Sequence, residues 1–333
     1  MVIIAAVLIF GILIFVHELG HFLAAKHFNI KIHEFSIGMG PAVWKKRKGD
    51  ILYSLRALPI GGFVKMEGED FESDDDRAFN KCAPWKRIIV LIAGAFMNIL
   101  LGFLIFVLAF SLVPKMSVPV VQEVVEGSAA QTAGLAAGDK IVSINGAAVH
   151  LQSDVSFEMY RNGGAEAKIE VLRDGKKMTF YLTPQNEDGR YIVGYYPATA
   201  KRTVGSVLHD SFYYTFFVIK VVYVSLFELI AGHVAVSDMS GPVGIVSEIG
   251  QAVKYGFADV LNFAGLIAVN LGVMNMLPLP ALDGGRAVFA LIEMITRKKV
   301  KPEVEGYVHT IGFLLLIALM VFVTYSDIVK LIK

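Results

Sequence analysis

The stretch FVHELGHFLAAKHF, Phe15–Phe28, closes an apolar opening in which residues 1–16 carry no polar side chain. His17, Glu18 and His21 therefore arrive inside what reads as one continuous helix. An ionisable side chain at mid-bilayer costs at least roughly 2.5–3.5 kcal/mol, so three of them within one turn call for a shared partner. His17 and His21 are four apart and project from one helix face, where both imidazoles can grip one metal ion. Glu18 follows the first histidine and can lie close to water held by that ion. Two histidines for zinc and a glutamate as general base is the chemistry of HExxH. The pentapeptide alone is a weak signal, but its setting strengthens it, because one divalent cation satisfies all three groups at once.

The rest of the composition agrees with a membrane setting. Of 333 residues, 55% are hydrophobic and 18% charged, and the mean hydropathy is +0.58; together these indicate an integral membrane protein. A net charge of +1, with no basic stripe interleaved with aromatics, gives no reason to expect a nucleic-acid partner. The lone Cys82 excludes an intramolecular disulfide framework and a cysteine-based zinc cluster. The first segment lacks a basic n-region and a small-residue cleavage site before Lys26, so it reads as a retained span.

Four segments are clean and long enough to cross about 30 Å of hydrocarbon: residues 2–25, 88–113, 260–282 and 307–326. The loop over 26–87 carries twelve Lys and Arg, including KKRK at 45–48, and a second basic group (Arg286, Arg297, Lys298, Lys299, Lys301) follows the third span. Both loops therefore read as cytoplasmic, with both termini and the region 114–259 outside. Within the cytoplasmic loop, ILYSLRALPIGGFVKM at 51–66 gives β-rich runs broken by Pro59 and Gly61-Gly62, fitting a hairpin against the inner membrane face.

The outer region is a folded domain. GSAAQTAGLAAGDKIVSING and the hairpin signal around Asp174-Gly175 resemble a PDZ domain, placed at 116–197 and present once. Such folds bind extended peptides by adding a strand to a sheet edge; a domain that merely spaces or shields is the plainer alternative.

Catalytic zinc takes three protein ligands and keeps one position open. Asp283, in NMLPLPALDGG (275–285), is the strongest candidate for the third ligand. Pro278 and Pro280 break the third span just before it, and the backbone groups they free must line a cavity or be buried in protein. His233 and His309 are isolated, and His27 and His33 lie too far along the chain to share the ion easily.

HELGH in the first span, GPVGI at 241–245 and NMLPLPALDGG resemble the site-2 protease family of intramembrane zinc proteases over essentially the whole chain. FSIGMGP at 35–41 and PIGGFVKM at 59–66 resemble its RseP/RasP branch, and the single PDZ insertion is closer to RasP-type members. The resemblance implies zinc held by His17, His21 and Asp283, with Glu18 as catalytic base. It also implies that Asn275 and Asn270 contact substrate or stabilise the transition state, and that the strand from Gly61 through Gly62, Phe63 and Val64 pairs with an unwound substrate helix. The implied substrates are single-span membrane proteins, such as anti-sigma factors or signal-peptide remnants, with a peptide or new C-terminus at the PDZ domain. The implied location is a bacterial cytoplasmic membrane, with the active site near the cytoplasmic side.

A fifth apolar stretch, 211–232, contains Lys220 and Glu228. If it crossed, the third span would run the other way and Asp283 would land away from the histidines, so it reads as a helix on the outer membrane surface. The expected architecture is an α-helical membrane bundle of four spans, with an inserted extracytoplasmic PDZ β/α domain and a cytoplasmic membrane-associated β-hairpin. In outline this gives 1–25 first span, 26–87 loop with hairpin, 88–113 second span, 116–197 PDZ, 203–258 surface helix and linker, 260–285 third span, 286–306 cytoplasmic segment and 307–333 fourth span. The rival readings are a metal transporter, which needs a polar path through the membrane, and a scaffold that displays a PDZ domain. The second and fourth spans offer little polar beyond Asn98, Ser111 and Thr310.

Overall fold

The computed structural model describes residues 2–69, 71–187, 190–236, 239–300 and 302–332. Two compact units emerge, Met1–Phe106 with Val218–Lys333, and Val107–Phe217. Among the described residues five helices are long and apolar enough to cross a membrane: α1 (Val2–His27), α2 (Pro84–Ser111), α5 (Val204–Ile230), α7 (Phe257–Met276) and most of α9 (Pro302–Ile332). This is a multi-pass membrane protein with a β-rich unit inserted between its apolar helices.

In the first unit the helices pack through small residues, as expected where lipid offers no hydrophobic drive to association. A Cβ on Gly20 would sit 2.4 Å from the Ala93 carbonyl oxygen, which brings α1 and α2 to backbone contact. Gly272 meets Ala95 and Ile99, Gly102 meets Val269, and Gly265 meets Phe106, so α2 and α7 run antiparallel. Helix α6 (Pro242–Tyr255) sits at the end where α2 finishes and α7 begins. Its Gly250 lies against Val2, and its first turn is capped from α9, where the buried Asp327 carboxylate accepts the N–H groups of Gly241 (3.2 Å) and Gly244 (2.8 Å). That contact explains both glycines of GPVGI, since a Cβ on Gly241 would lie 2.8 Å from the Asp327 carboxylate.

Helix α7 ends at Met276, six residues short of the expected span end at 282. Leu277 is already extended (ψ 144°), the conformation a following proline enforces. The chain then turns through 277–282 and starts α8 (Asp283–Thr296). The stretch expected as a plain cytoplasmic segment thus begins with a helix, whose N-terminus favours the negative charge of Asp283. The region expected as one surface helix and linker holds two helices, α5 and α6, and α5 by itself meets the length and composition of a span.

The expected hairpin is more elaborate. Strands β1 (Ile32–Lys48) and β2 (Ile51–Met66) pair antiparallel with several register shifts. Phe35 opposes both Val64 and Tyr53, and Ile37 opposes both Gly62 and Leu55, so the first half of β1 is central and 62–66 forms an edge. Phe22 and Ala25 of α1 bury against Ile32, Phe35, Val64 and Met66, with Val90 and Leu91 of α2 completing the cluster. This core docks the sheet edge onto the end of α1 that carries Glu18. Arg56 binds Glu34 at 2.7 Å and Ser54 donates to the same oxygen at 2.6 Å. Burial raises the Glu34 carboxyl, but these bonds outweigh it and hold it below the ordinary carboxylate value.

The second unit has its own core. Its strands are β3 (Lys115–Val124), β4 (Lys140–Ile144), β5 (Ala147–Ala148), β6 (Ala167–Arg173), β7 (Lys176–Leu182), β8 (Gln185–Glu187), β9 (Arg190–Ile192) and β10 (Tyr195–Lys201). The main sheet has the order β10-β3-β4-β6-β7, with β5 on β4 and β8–β9 as a separate pair. Ile141, Ile144, Ile169 and Val171 bury against Met159 and Val155 of α4 (Gln152–Asn162). Asp174 (φ 50°) and Gly175 (φ 77°) form the tight β6–β7 turn, as the sequence indicated. Arg173 grips the fully buried Asp139 through two hydrogen bonds of 2.6 and 2.7 Å. Burial pushes the Asp139 carboxyl up, but the arginine outweighs it and holds it below its usual value.

Candidate metal centre

Three side chains converge where α1, α2 and the α7–α8 break meet. His17 Nε2 and His21 Nε2 are 3.2 Å apart, and Asp283 Oδ2 lies 3.1 Å from the first and 3.4 Å from the second. Among the described residues this is the one group of three or more His, Cys, Asp or Glu side chains able to hold a metal ion. His17 and Asp283, 266 positions apart in sequence, meet because α1 and α7 both end at this face of the bundle, and the proline break carries Asp283 back under α1.

The tautomers suit ligation. His21 Nδ1 donates to the Val90 carbonyl at 2.8 Å, leaving its Nε2 lone pair directed at Asp283. His17 Nδ1 lies 3.4 Å from the amide of the fully buried Asn98, whose Oδ1 has no hydrogen-bond partner. With that amide turned over, Oδ1 accepts the His17 Nδ1 proton and leaves the His17 Nε2 lone pair facing Asp283. Three acceptors then face one another, and Asp283 Oδ2 is itself buried without a hydrogen bond. Atoms about 2.0–2.1 Å from one centre at tetrahedral angles lie about 3.3 Å apart, so the observed separations fit zinc.

Space for the imidazoles comes from Gly94. A Cβ there would lie 2.4 Å from His21 Nε2 and 2.8 Å from His17 Cε1. A cavity of about 240 Å³ opens in front of the cluster, lined among others by Glu18, Phe63, Val64, Leu91 and Arg286. Glu18 accepts a hydrogen bond from the Val64 backbone, and Gly62 lets the sheet edge approach it, since a Cβ there would be 3.0 Å from Glu18 Cγ. Arg286 and Glu69 pair at 2.6 Å at the rim.

Of the residues singled out in the sequence, His17, Glu18, His21, Asp283, Gly62, Phe63 and Val64 share this cavity. Gly61 stands beside Met39 just outside it. Asn275 is half-buried and Asn270 exposed on α7, and neither lines it. Asn98, noted in the sequence only as a rare polar residue of its span, is the asparagine that reaches a histidine. Its complete burial is invisible in sequence; its position in an otherwise apolar helix was the available signal.

The model of peptidase family M50 matches residues 5–319. The chain belongs to peptidase family M50. Similar proteins include one of Clostridium acetobutylicum, provisionally named a zinc metalloprotease, 41% identical over 332 residues and covering 98% of this chain and 97% of that protein. Zinc metalloprotease RasP of Geobacillus kaustophilus is 31% identical over 415 residues, covering 98% of each chain. The regulator of sigma-W protease RasP of Bacillus subtilis is 30% identical over 417 residues, covering 99% of this chain and 98% of that protein. Both RasP alignments run longer than this chain, so those relatives carry inserted residues. The M50 chain described here is a zinc metallopeptidase of the membrane.

Gly94→Ala is expected to push both imidazoles off the centre. Zinc affinity, measured by chelator competition on the purified protein, should fall about tenfold or more while size-exclusion behaviour stays that of the parent. Unchanged affinity would contradict the packing described.

Proposed function

We propose that this chain is an intramembrane protease whose zinc is held by His17, His21 and Asp283, with Glu18 as general base. The observation that carries the reading is the convergence of three metal-ligating atoms within 3.1–3.4 Å, beside a glutamate, inside an apolar bundle. Zinc bound there supplies Lewis-acid polarisation of a peptide carbonyl and acidifies a water molecule. Glu18, next to His17 and open to the cavity, takes a proton from that water and returns it to the departing amine nitrogen, while the Val64 N–H orients its carboxylate. The transporter reading lacks support, because the second and fourth spans offer little polar beyond Asn98, Ser111 and Thr310; the scaffold reading leaves the converged ligands without a role.

A peptide bond inside a helix is shielded by its own turn, so a substrate span has to open before attack. Residues 62–66 have ladder partners only on the β1 side among the described residues, which leaves an edge beside Glu18 able to accept an extended backbone. We assign single-span membrane proteins as substrates. The sigma-W reference in the name of the Bacillus subtilis relative suggests membrane-anchored regulators of a sigma factor as one class, and signal-peptide remnants are a second. The inserted unit is assigned as a single PDZ domain that binds a peptide or a new C-terminus, or excludes bulky ectodomains.

The assigned topology has four spans, both termini and the inserted unit outside a bacterial cytoplasmic membrane, and the cavity near the cytoplasmic face, in agreement with the basic residues of 26–87. Packing within the first unit supports it. Helix α2 ends, and α7 begins, at the end of the bundle where α6 meets Val2 and Asp327. The chain between them leaves and returns on one side, and a single crossing by α5 would break that. Helix α5 then lies along the outer surface with its apolar face toward lipid.

Three outcomes test this reading. Glu18→Gln should retain zinc and lose about 10²–10⁴-fold in turnover of a single-span substrate, and wild-type cleavage would remove Glu18 as the base. Val64→Pro deletes the N–H that orients Glu18 and kinks the edge, so cleavage should drop sharply with zinc content unchanged; normal cleavage would argue against strand pairing. In a Cys82→Ser background, Lys177→Cys and His233→Cys should both react with an impermeant maleimide from the outer side. Labelling from opposite sides would mean that α5 crosses.

A further inference from the structure

Helix α9 brings one polar side chain toward the metal centre without contributing a ligand. His309 Nδ1 accepts a hydrogen bond from the Ala281 backbone N–H at 2.8 Å. Ala281 has φ +71°, a conformation that residues other than glycine rarely adopt, and it stands two residues before Asp283. Three residues further along the same face of α9, a Cβ on Gly312 would lie 2.2 Å from Pro280 Cβ, so the helix is pressed against the backbone of the loop. The loop is also folded tightly on its far side, where Cβ atoms on Gly284 and Gly285 would meet the carbonyl oxygens of Leu277 and Leu279 at 2.2 and 2.3 Å.

The histidine side chain is 14% exposed, and its ring packs 5.7 Å from that of Phe289 on α8. Because Nδ1 is the acceptor, the neutral ring carries its proton on Nε2, which is buried without a hydrogen-bond partner and lies 3.9 Å from Glu305. Burying an imidazole with half its hydrogen-bonding capacity unused is costly, and its hydrogen bond among the described residues is to the strained residue of the loop.

We infer that His309 is a positioning residue: its bond to Ala281, backed by the Gly312 contact, holds the 277–282 turn so that Asp283 Oδ2 falls between the two imidazoles. The inference rests on Asp283 being a zinc ligand. Chain segments around metal ligands commonly depend on such supporting bonds, whose removal typically costs about 10–100-fold in metal affinity.

The test is zinc competition with a chromophoric chelator, run on the full-length protein in detergent beside its thermal unfolding midpoint. His309→Leu fills the space but removes the acceptor, and should weaken zinc about 10–100-fold at a near-parental midpoint. His309→Asn places Oδ1 where Nδ1 stood and should restore affinity to within about threefold, the bond being remade. If the leucine variant fails to fold, His309→Gln, whose amide overshoots that position, takes its place with the same expectation. Parental affinity in the leucine or glutamine variant, or equal weakening in the asparagine variant, would overturn the inference. Asp283→Ala separates the two readings: if it binds zinc as tightly as the parent, the ligand assignment itself fails; if it loses zinc while His309→Leu does not, only the positioning role fails.

Discussion

The cost of holding charge in an apolar bundle governs this molecule. His17, Glu18, His21 and Asp283 come from two distant parts of the chain, and none could sit at such depth alone without a large desolvation penalty. Under the proposed reading their convergence offsets that penalty, because three lone pairs that face one another are what a divalent cation requires. Much else follows from it. Helices α1 and α2 approach to backbone contact at Gly20, Gly94 leaves room for two imidazoles, and Val90 and Asn98 fix which ring nitrogens face the centre.

A second constraint is irregular backbone. Backbone outside regular structure carries N–H and C=O groups that protein or water must satisfy, and the first unit meets that demand twice. The 277–282 turn is enclosed by α8 and α9, with its free N–H at Ala281 answered by His309. The sheet edge at 62–66 is held by a core of Phe22, Phe35 and Met66, while its unpaired side faces the cavity. Both irregular elements border the same 240 Å³ space, so regular structure fails on two sides of one cavity. A rigid helical frame around two irregular segments is a physical description of how a protease can act where water is scarce.

Asp327 shows the same logic away from the site. A carboxylate near the end of α9 replaces the N-cap that α6 lacks in its own sequence, and so ties the last helix to GPVGI. In the sequence this aspartate stands in TYSDIVK beside an apolar run; only the meeting of the two helix ends gives it a partner.

Local chemistry made several features legible from residues alone. The HExxH spacing puts two imidazoles on one helix face whatever surrounds them, the prolines at 278 and 280 forbid continued helix, and Asp174-Gly175 demands a tight turn. Hydropathy likewise marks which helices are greasy enough to cross a membrane. Sequence could not say that α7 stops at Met276, that Asp283 opens a new helix, that Asn98 rather than Asn275 or Asn270 reaches the histidines, or that His309 answers Ala281. Those depend on which helix ends are brought together, a matter of packing summed over the whole bundle. Spacing along one helix is a property of the chain; distance between helices is a property of the fold.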